Sequence, residues 1–123
     1  MMSRVVHFEI SAEKPEEVIS FYQNTFNWRF EKWKGSLVYW AITTGDEKTP
    51  GIDGGLKERD EMGTNTVNTI DVVSIDESIE KVTKNGGEII VSKMTVPGVG
   101  WMAYFKDPQG NVFGIMQSDE SAK

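Results

Sequence analysis

Residues 96–117, VPGVGWMAYFKDPQGNVFGIMQ, carry the clearest fold signal in the chain. Two apolar segments, 101–106 and 112–117, have the length and composition of strands. Between them, residues 107–110 (DPQG) combine the residue types that favour a turn. The stretch therefore predicts two successive strands joined by a tight turn near the carboxyl end.

Over the whole chain, the sequence pattern predicts the order strand–helix–strand–strand–strand twice. Period-2 alternation predicts strands, and apolar residues at helical spacing after Pro15 and at Ile75, Ile79 and Val82 predict helices. The first set is a strand at 4–10, a helix from 14 or 15 to 26, strands at 29–34 and 37–44, and a brief strand at 54–56. The second set is a strand at 67–73, a helix ending at 85–87, and strands from 88, at 101–106 and at 112–117. We expect residues 118–123 to be a frayed tail.

The two halves also align residue by residue, which indicates an internal duplication. An offset of 62 residues carries His7 onto Thr69 and Glu9 onto Asp71, and it carries residues 39–41 onto 101–103. An offset of 59 carries Gly55 onto Gly114. Identity between the halves is low, so the repeat rests on matching order and polarity.

Composition excludes several classes of function. The 123 residues suit one compact domain with a real core, since 38% are hydrophobic. Because there is no cysteine, disulfides, thiolate zinc sites and thiol nucleophiles are excluded. Thirteen basic residues against nineteen acidic ones give a net charge of −6, which argues against binding to nucleic acid. Without a long apolar run, we expect a cytoplasmic protein with no membrane contact.

Three segments resemble the vicinal-oxygen-chelate superfamily of glyoxalase I, bleomycin-resistance proteins and extradiol dioxygenases. They are the aromatic set Phe21, Tyr22, Phe26 and Trp28, the segment 51–56 (GIDGGL) and the ending 96–117. Within that superfamily, the chain looks most like the lactoylglutathione-lyase-related, glyoxalase-like proteins.

This resemblance implies an α+β fold and a single glyoxalase-like domain over residues 1–123. Its two βαβββ modules would span about 4–57 and 66–118 and form a curved mixed sheet around a cavity, with the helices on the convex side. The resemblance also suggests a homodimer, which is the commonest assembly of soluble proteins.

Strand parity predicts which residues line such a cavity. One face of each first and last strand is apolar and would pack against the helices. The opposite face would meet the cavity, and it carries His7, Glu9, Thr69, Asp71, Gly114 and Met116.

The resemblance also indicates where a metal would be held. Metal-dependent members of the superfamily bind a divalent ion through His, Glu or Gln side chains on the first and last strands of each module. The matching positions here are His7, Thr69, Gly55 and Gly114, so three of the four donors are missing. We therefore expect no cofactor, with an atypical divalent-metal site built on His7 as the alternative.

Candidate catalytic and binding residues follow from the same face. His7 with Glu9 or Asp71 is the natural acid–base set, and a nearby carboxylate should raise the pKa of His7. Trp40, Trp101 and Tyr104 could stack on a ligand beside Thr69, Gly114 and Met116. Parity requires about half of the central-strand aromatics to lie in the core, and it does not say which half.

Three functions fit these features. The first is a small-molecule-binding protein of the glyoxalase and bleomycin-resistance type with a metal-free cavity. The second is a lyase or isomerase that uses an atypical metal site or His7 as general base. The third is a module that serves mainly in dimerisation or assembly.

Overall fold

The computed structural model describes residues 2–35, 37–61, 63 and 66–123. Within these residues lie two helices and eight strands, in the predicted order βαβββ twice, which confirms the α+β class. The first set comprises β1 (Arg4–Ala12), α1 (Pro15–Phe26), β2 (Arg29–Lys32), β3 (Tyr39–Thr43) and β4 (Gly54–Glu58). The second set comprises β5 (Thr66–Asp71), α2 (Ile75–Lys84), β6 (Glu88–Val96), β7 (Gly100–Lys106) and β8 (Val112–Ser118).

The chain divides into two compact units. The N-terminal unit is His7–Val67. The C-terminal unit is Asn68–Lys123 together with residues 2–6, so that the start of β1 packs with the second half of the chain.

In the N-terminal unit, the strands follow the order β2-β3-β4-β1. β1 and β4 run parallel, and the other neighbouring pairs are antiparallel. Ala12, Ile42 and Leu56 form the buried centre of the core, and Val18 and Ile19 of α1 pack against them. Burying these side chains provides the main stabilisation of the unit, at roughly 25 cal/mol per Å² of apolar surface.

Helix α1 begins and ends where its sequence directs. Pro15 occupies the first turn, Glu16 and Glu17 complement the helix dipole, and Asn27 ends the helix in a left-handed conformation with φ 61°. The chain then reverses so that Trp28 stacks on Tyr22, with ring centroids 4.6 Å apart. The aromatic motif of the sequence thus fixes the helix against the following strand.

In the C-terminal unit, the strands follow the order β5-β8-β7-β6, with β5 and β8 parallel. Ile75, Ala103 and Ile115 form its buried centre. Helix α2 is capped by Ser74, whose hydroxyl accepts a hydrogen bond from the backbone N–H of Glu77 at 3.2 Å. Gln117 of β8 accepts a further bond from the N–H of Ile75 at 2.9 Å, which ties the helix start to the sheet.

The expected frayed tail is wrong, because the last residues fold back. The carbonyl of Ala122 accepts a hydrogen bond from the N–H of Gly98 at 2.9 Å, and Ala122 is buried. The N–H of Asp119 donates to the carbonyl of Val99 at 2.8 Å. The tail and the β6–β7 turn therefore satisfy each other's backbone groups.

The offset of 62 for the third strands is also wrong by one residue. Ala41 pairs with Gly55 in the N-terminal unit, and Tyr104 pairs with Gly114 in the C-terminal unit. Since the two glycines correspond, Ala41 matches Tyr104, and the true offset is 63. A slip of one residue moves every side chain of a strand to the other face.

Candidate functional site

Strand β1 separates polar from apolar side chains. Phe8, Ile10 and Ala12 belong to the helix-side core, whereas His7, Glu9 and Ser11 occupy the alternate positions. Glu9 is only 5% exposed, although it carries a carboxylate. We call the surface formed by His7, Glu9, Ser11, Tyr39, Gly55 and Lys57 the polar face of the N-terminal unit.

The central contact of this face joins two strands. Nε2 of His7 lies 2.9 Å from Oη of Tyr39, which is hydrogen-bond distance. Both residues are partly buried. The sequence names Tyr39 only as one of the central-strand aromatics, and the alternation of β3 alone could not have identified its contact with His7, because the bond spans 32 positions of the chain.

Gly55 makes room for Tyr39. A Cβ built on Gly55 would overlap the hydroxyl and Cζ of Tyr39. Any side chain at position 55 therefore competes with the tyrosine for the same volume. The glycine that the sequence marks as a missing donor is the residue that allows the His7–Tyr39 contact.

Charges on this face are arranged around Lys57. Its ammonium lies 3.0 Å from Oδ2 of Asp60 and 3.9 Å from Oε1 of Glu9. The Lys57 side chain is 16% exposed, so its contact with Glu9 is shielded from solvent. Lys57 therefore places a positive charge beside the buried carboxylate.

The expected rise in the pKa of His7 is wrong. Burial lowers the pKa of His7 below 6.5, and this outweighs the opposing effect of Glu9 and Asp53. Burial, with Glu9 adding to it, raises the pKa of the Tyr39 hydroxyl. At neutral pH the pair is thus an uncharged imidazole bonded to an uncharged phenol.

The C-terminal unit brings three candidate residues together. Thr69 pairs with Gly114 in the parallel ladder, and Tyr104 pairs with Gly114 in the antiparallel one. A Cβ built on Gly114 would lie 3.2 Å from Cε1 of Tyr104 and 3.3 Å from Oγ1 of Thr69. Thr69 is fully buried, and its hydroxyl has no hydrogen-bond partner among the described residues.

Asp71 and Met116 are neighbours in the same unit. They pair across β5 and β8, and Asp71 is exposed. Asp71 lines a cavity of about 380 Å³ together with Arg4, Val6 and Gln117. His7 and Glu9 share one strand face of the N-terminal unit, so the acid–base set of the sequence divides between the two units.

The two tryptophan candidates pack with the helix-side cores. Trp40 contacts the cluster of Ala12, Ile42 and Leu56, and Trp101 contacts the cluster of Ile75, Ala103 and Ile115. Trp101 alternates with Met102 and Tyr104 along β7, so it has the opposite parity to the residue above Gly114. Parity leaves this choice open, and packing against the helices decides it.

The residues of the polar face do not fit a divalent metal. His7 already bonds Tyr39 through Nε2, position 55 supplies no side chain, and the ammonium of Lys57 lies beside Glu9. Across the described residues, no group of three or more His, Asp or Glu side chains could hold an ion. A stable site needs several converging donors. We therefore derive no chemistry through a metal.

Comparison with known proteins gives the family. Residues 4–115 match the family described as Glyoxalase/Bleomycin resistance protein/Dioxygenase superfamily. A glyoxylase-like domain-containing protein from Didymella fabae is 28% identical over 114 residues, which cover 87% of this chain and 88% of that protein.

Solved structures share the fold at low identity. A hypothetical protein from Bacillus halodurans C-125 superposes with a TM-score of 0.72 at 18% identity, covering 100% of this chain and 99% of that one. Methylmalonyl-CoA epimerase from Mycobacterium tuberculosis superposes with a TM-score of 0.69 at 9% identity, covering 94% and 87%. No helix in the described part of the chain is long and apolar enough to span a membrane. Since the family match covers most of its length, the chain belongs to the glyoxalase/bleomycin resistance protein/dioxygenase superfamily.

Proposed function

We propose that this protein binds a small, oxygen-bearing molecule on the polar face of the N-terminal unit, without a resident metal. The observation that carries the proposal is the uncharged His7–Tyr39 pair at 2.9 Å. A neutral imidazole and a phenol that bond each other keep further hydrogen-bonding capacity at the phenol oxygen. When Nε2–H of His7 donates to the phenol oxygen, the phenol O–H can donate to a ligand carbonyl or carboxylate, and when the phenol donates to Nε2, its oxygen can accept from a ligand hydroxyl.

The surroundings of the pair support binding rather than a purely structural role. Glu9 and Lys57 place opposite charges next to it, which gives the face a fixed local field. Trp33 lies edge-on to Tyr39, with ring centroids 6.4 Å apart, and adds apolar surface. Ligand sites commonly combine apolar walls with a few placed polar groups.

A thermal-shift screen tests this proposal. The library contains metabolites, aldehyde–thiol adducts and antibiotics, and a compound that binds the native state raises the unfolding midpoint by mass action. We expect a binder whose shift is lost in Tyr39→Phe, because that change removes the phenol oxygen alone. Tyr22→Phe is the matched control, since Tyr22 stacks on Trp28 away from His7. A binder that both variants bind equally would contradict the proposed site.

A second candidate function is an isomerase or lyase related to lactoylglutathione lyase, with His7 as general base. The lowered pKa of His7 favours it, because the imidazole is unprotonated near neutral pH and can accept a proton. The fold likeness to a methylmalonyl-CoA epimerase is compatible with proton transfer at carbon. The test is deuterium exchange from solvent at the carbon next to a binder's carbonyl, which His7→Gln should abolish.

We also propose a homodimer. Several large apolar side chains are exposed on the chain, including Phe21 at 55%, Phe26 at 58% and Val73 at 70%. Apolar surface of this kind is a common feature of interfaces. With −6 on each chain, charge repulsion between copies favours a mainly apolar contact.

A further inference from the structure

Metal-dependent members of the superfamily hold an ion where the polar face of this chain does not fit one, and two side chains explain the difference. We propose that Tyr39 occupies the divalent-metal position of the N-terminal unit, and that Tyr39 with Lys57 makes this site unable to hold a metal. The inference rests on the metal-free part of the proposed function and does not depend on ligand binding, so ligand binding at the His7–Tyr39 pair can stand if the inference fails.

The space at position 55 is already filled by the Tyr39 ring. Glu9 pairs with Gly55 in the parallel ladder, and His7 lies two residues before Glu9 on the same strand face. A metal-binding side chain at position 55 would complete a set of three metal ligands with His7 and Glu9. Because a Cβ there overlaps the Tyr39 hydroxyl, the tyrosine ring and a donor at position 55 exclude each other.

Tyr39 also engages His7, one of the metal ligands that remain on this face. The Nε2 atom of His7, one of the two ring nitrogens through which a histidine binds a metal, is engaged by the Tyr39 hydroxyl at 2.9 Å. Metal binding would break this hydrogen bond and displace a partly buried ring. Tyr39 therefore excludes a metal-binding side chain at position 55 and also occupies Nε2 of His7.

The positive charge of Lys57 also opposes a divalent ion on this face. The Lys57 ammonium lies 3.9 Å from Oε1 of Glu9, and its side chain is 16% exposed. A divalent ion bound by Glu9 would sit close to this ammonium in a partly desolvated place, where like charges repel strongly. Lys57 thus supplies a positive charge to Glu9 in place of an ion.

The C-terminal unit provides an internal comparison. Tyr104 pairs directly with Gly114, whereas Tyr39 reaches Gly55 from two residues along its strand, and a Cβ on Gly114 stays 3.2 Å from the Tyr104 ring and does not overlap it. The first-strand residue there is Thr69, a weak neutral donor. Removing the Tyr104 ring and adding a carboxylate at position 114 should therefore not create a metal site.

The experiment measures Co²⁺ binding by titration and by visible absorption, with folding checked by circular dichroism. We expect no stoichiometric binding to the wild type or to Gly55→Glu, in which the ammonium of Lys57 and the displaced Tyr39 ring remain beside the new carboxylate. The triple change Tyr39→Ala, Gly55→Glu and Lys57→Met leaves three donors and should bind Co²⁺ at least about tenfold more tightly than Gly55→Glu alone. Tyr104→Ala with Gly114→Glu is the matched control and should not bind.

Two results of the Co²⁺ titration would overturn the proposal. One is stoichiometric Co²⁺ on the wild type that is lost in His7→Ala. The other is a folded triple variant with no gain in affinity. If the triple variant does not fold, Tyr39→Ala with Lys57→Met decides the question. This variant removes the Tyr39 contact of His7 and the Lys57 contact of Glu9, and transient Co²⁺ contact should broaden the His7 ring signals only in the variant. Equal broadening in variant and wild type, or none in either, would also overturn it.

Discussion

Gly55→Ala should destabilise the protein far more than a glycine replacement normally does. The added methyl overlaps the Tyr39 hydroxyl, so the ring must leave its place. Forcing an extra carbon into a packed site costs about 1–3 kcal/mol. Losing the His7–Tyr39 hydrogen bond costs about 0.5–1.5 kcal/mol. Reduced freedom of the unfolded chain returns about 0.4–1 kcal/mol. The net expected loss is about 2 kcal/mol.

Gly114→Ala is the control for this prediction. The added methyl would lie 3.2 Å from Tyr104 and 3.3 Å from Thr69, which requires a shift of only a few tenths of an ångström. The expected change is therefore below about 1 kcal/mol. Both variants are compared with the wild type by urea unfolding at unchanged m-value. In a Tyr39→Ala background, Gly55→Ala should cost little. Equal destabilisation by Gly55→Ala and Gly114→Ala would show that displacement of the Tyr39 ring does not set the cost at position 55.

Three further predictions concern single groups and assembly. Thr69→Val should raise the free energy of unfolding by about 1 kcal/mol, because it removes a buried hydroxyl that lacks a partner; a loss of similar size in urea unfolding would show that the hydroxyl is paired in solution. The pKa of His7 is lowered on folding, so its neutral form contributes stability that is fully present above pH 6.5 and is lost as the pH falls through the folded value. An NMR titration of this single histidine should give a midpoint below that of the urea-unfolded chain, and a midpoint at or above it would contradict the burial argument. Sedimentation equilibrium should report about twice 13.8 kDa with little dependence on salt, whereas a single-chain mass at high micromolar concentration would refute the dimer.

The fold was predictable because its signals are local. Pro15 and the two acids after it start α1, the helical spacing of Ile75 and Ile79 marks α2, and the turn at 107–110 joins β7 to β8. The carboxyl-terminal tail was not predictable in this way, since its order comes from hydrogen bonds to Gly98 and Val99 rather than from its own composition.

The candidate site was predictable only in part. Strand parity identified His7, Glu9, Thr69 and Gly114, because alternation on a first or last strand is visible in the sequence. The role of Tyr39 was hidden, since it depends on a glycine across the sheet that lets the ring lean over it. Trp40 and Trp101 were ambiguous because a one-residue error in offset exchanges the two faces of a strand.

The direction of the His7 pKa shift illustrates a different limit. Sequence spacing places Glu9 near His7, and a carboxylate favours the charged imidazole. How deeply the ring is buried cannot be read from spacing, and burial is the larger effect here.

A small molecule bound at the His7–Tyr39 pair would lie against the ring of His7. The most direct measurement is the NMR spectrum of the His7 ring during titration with the strongest compound from the thermal-shift screen, since the chain has one histidine. A ligand at the pair should move the ring signals in step with the thermal shift in the wild type, and move them much less in Tyr39→Phe. If the compound saturates the protein while the His7 signals stay unchanged, the binding site lies elsewhere on the molecule.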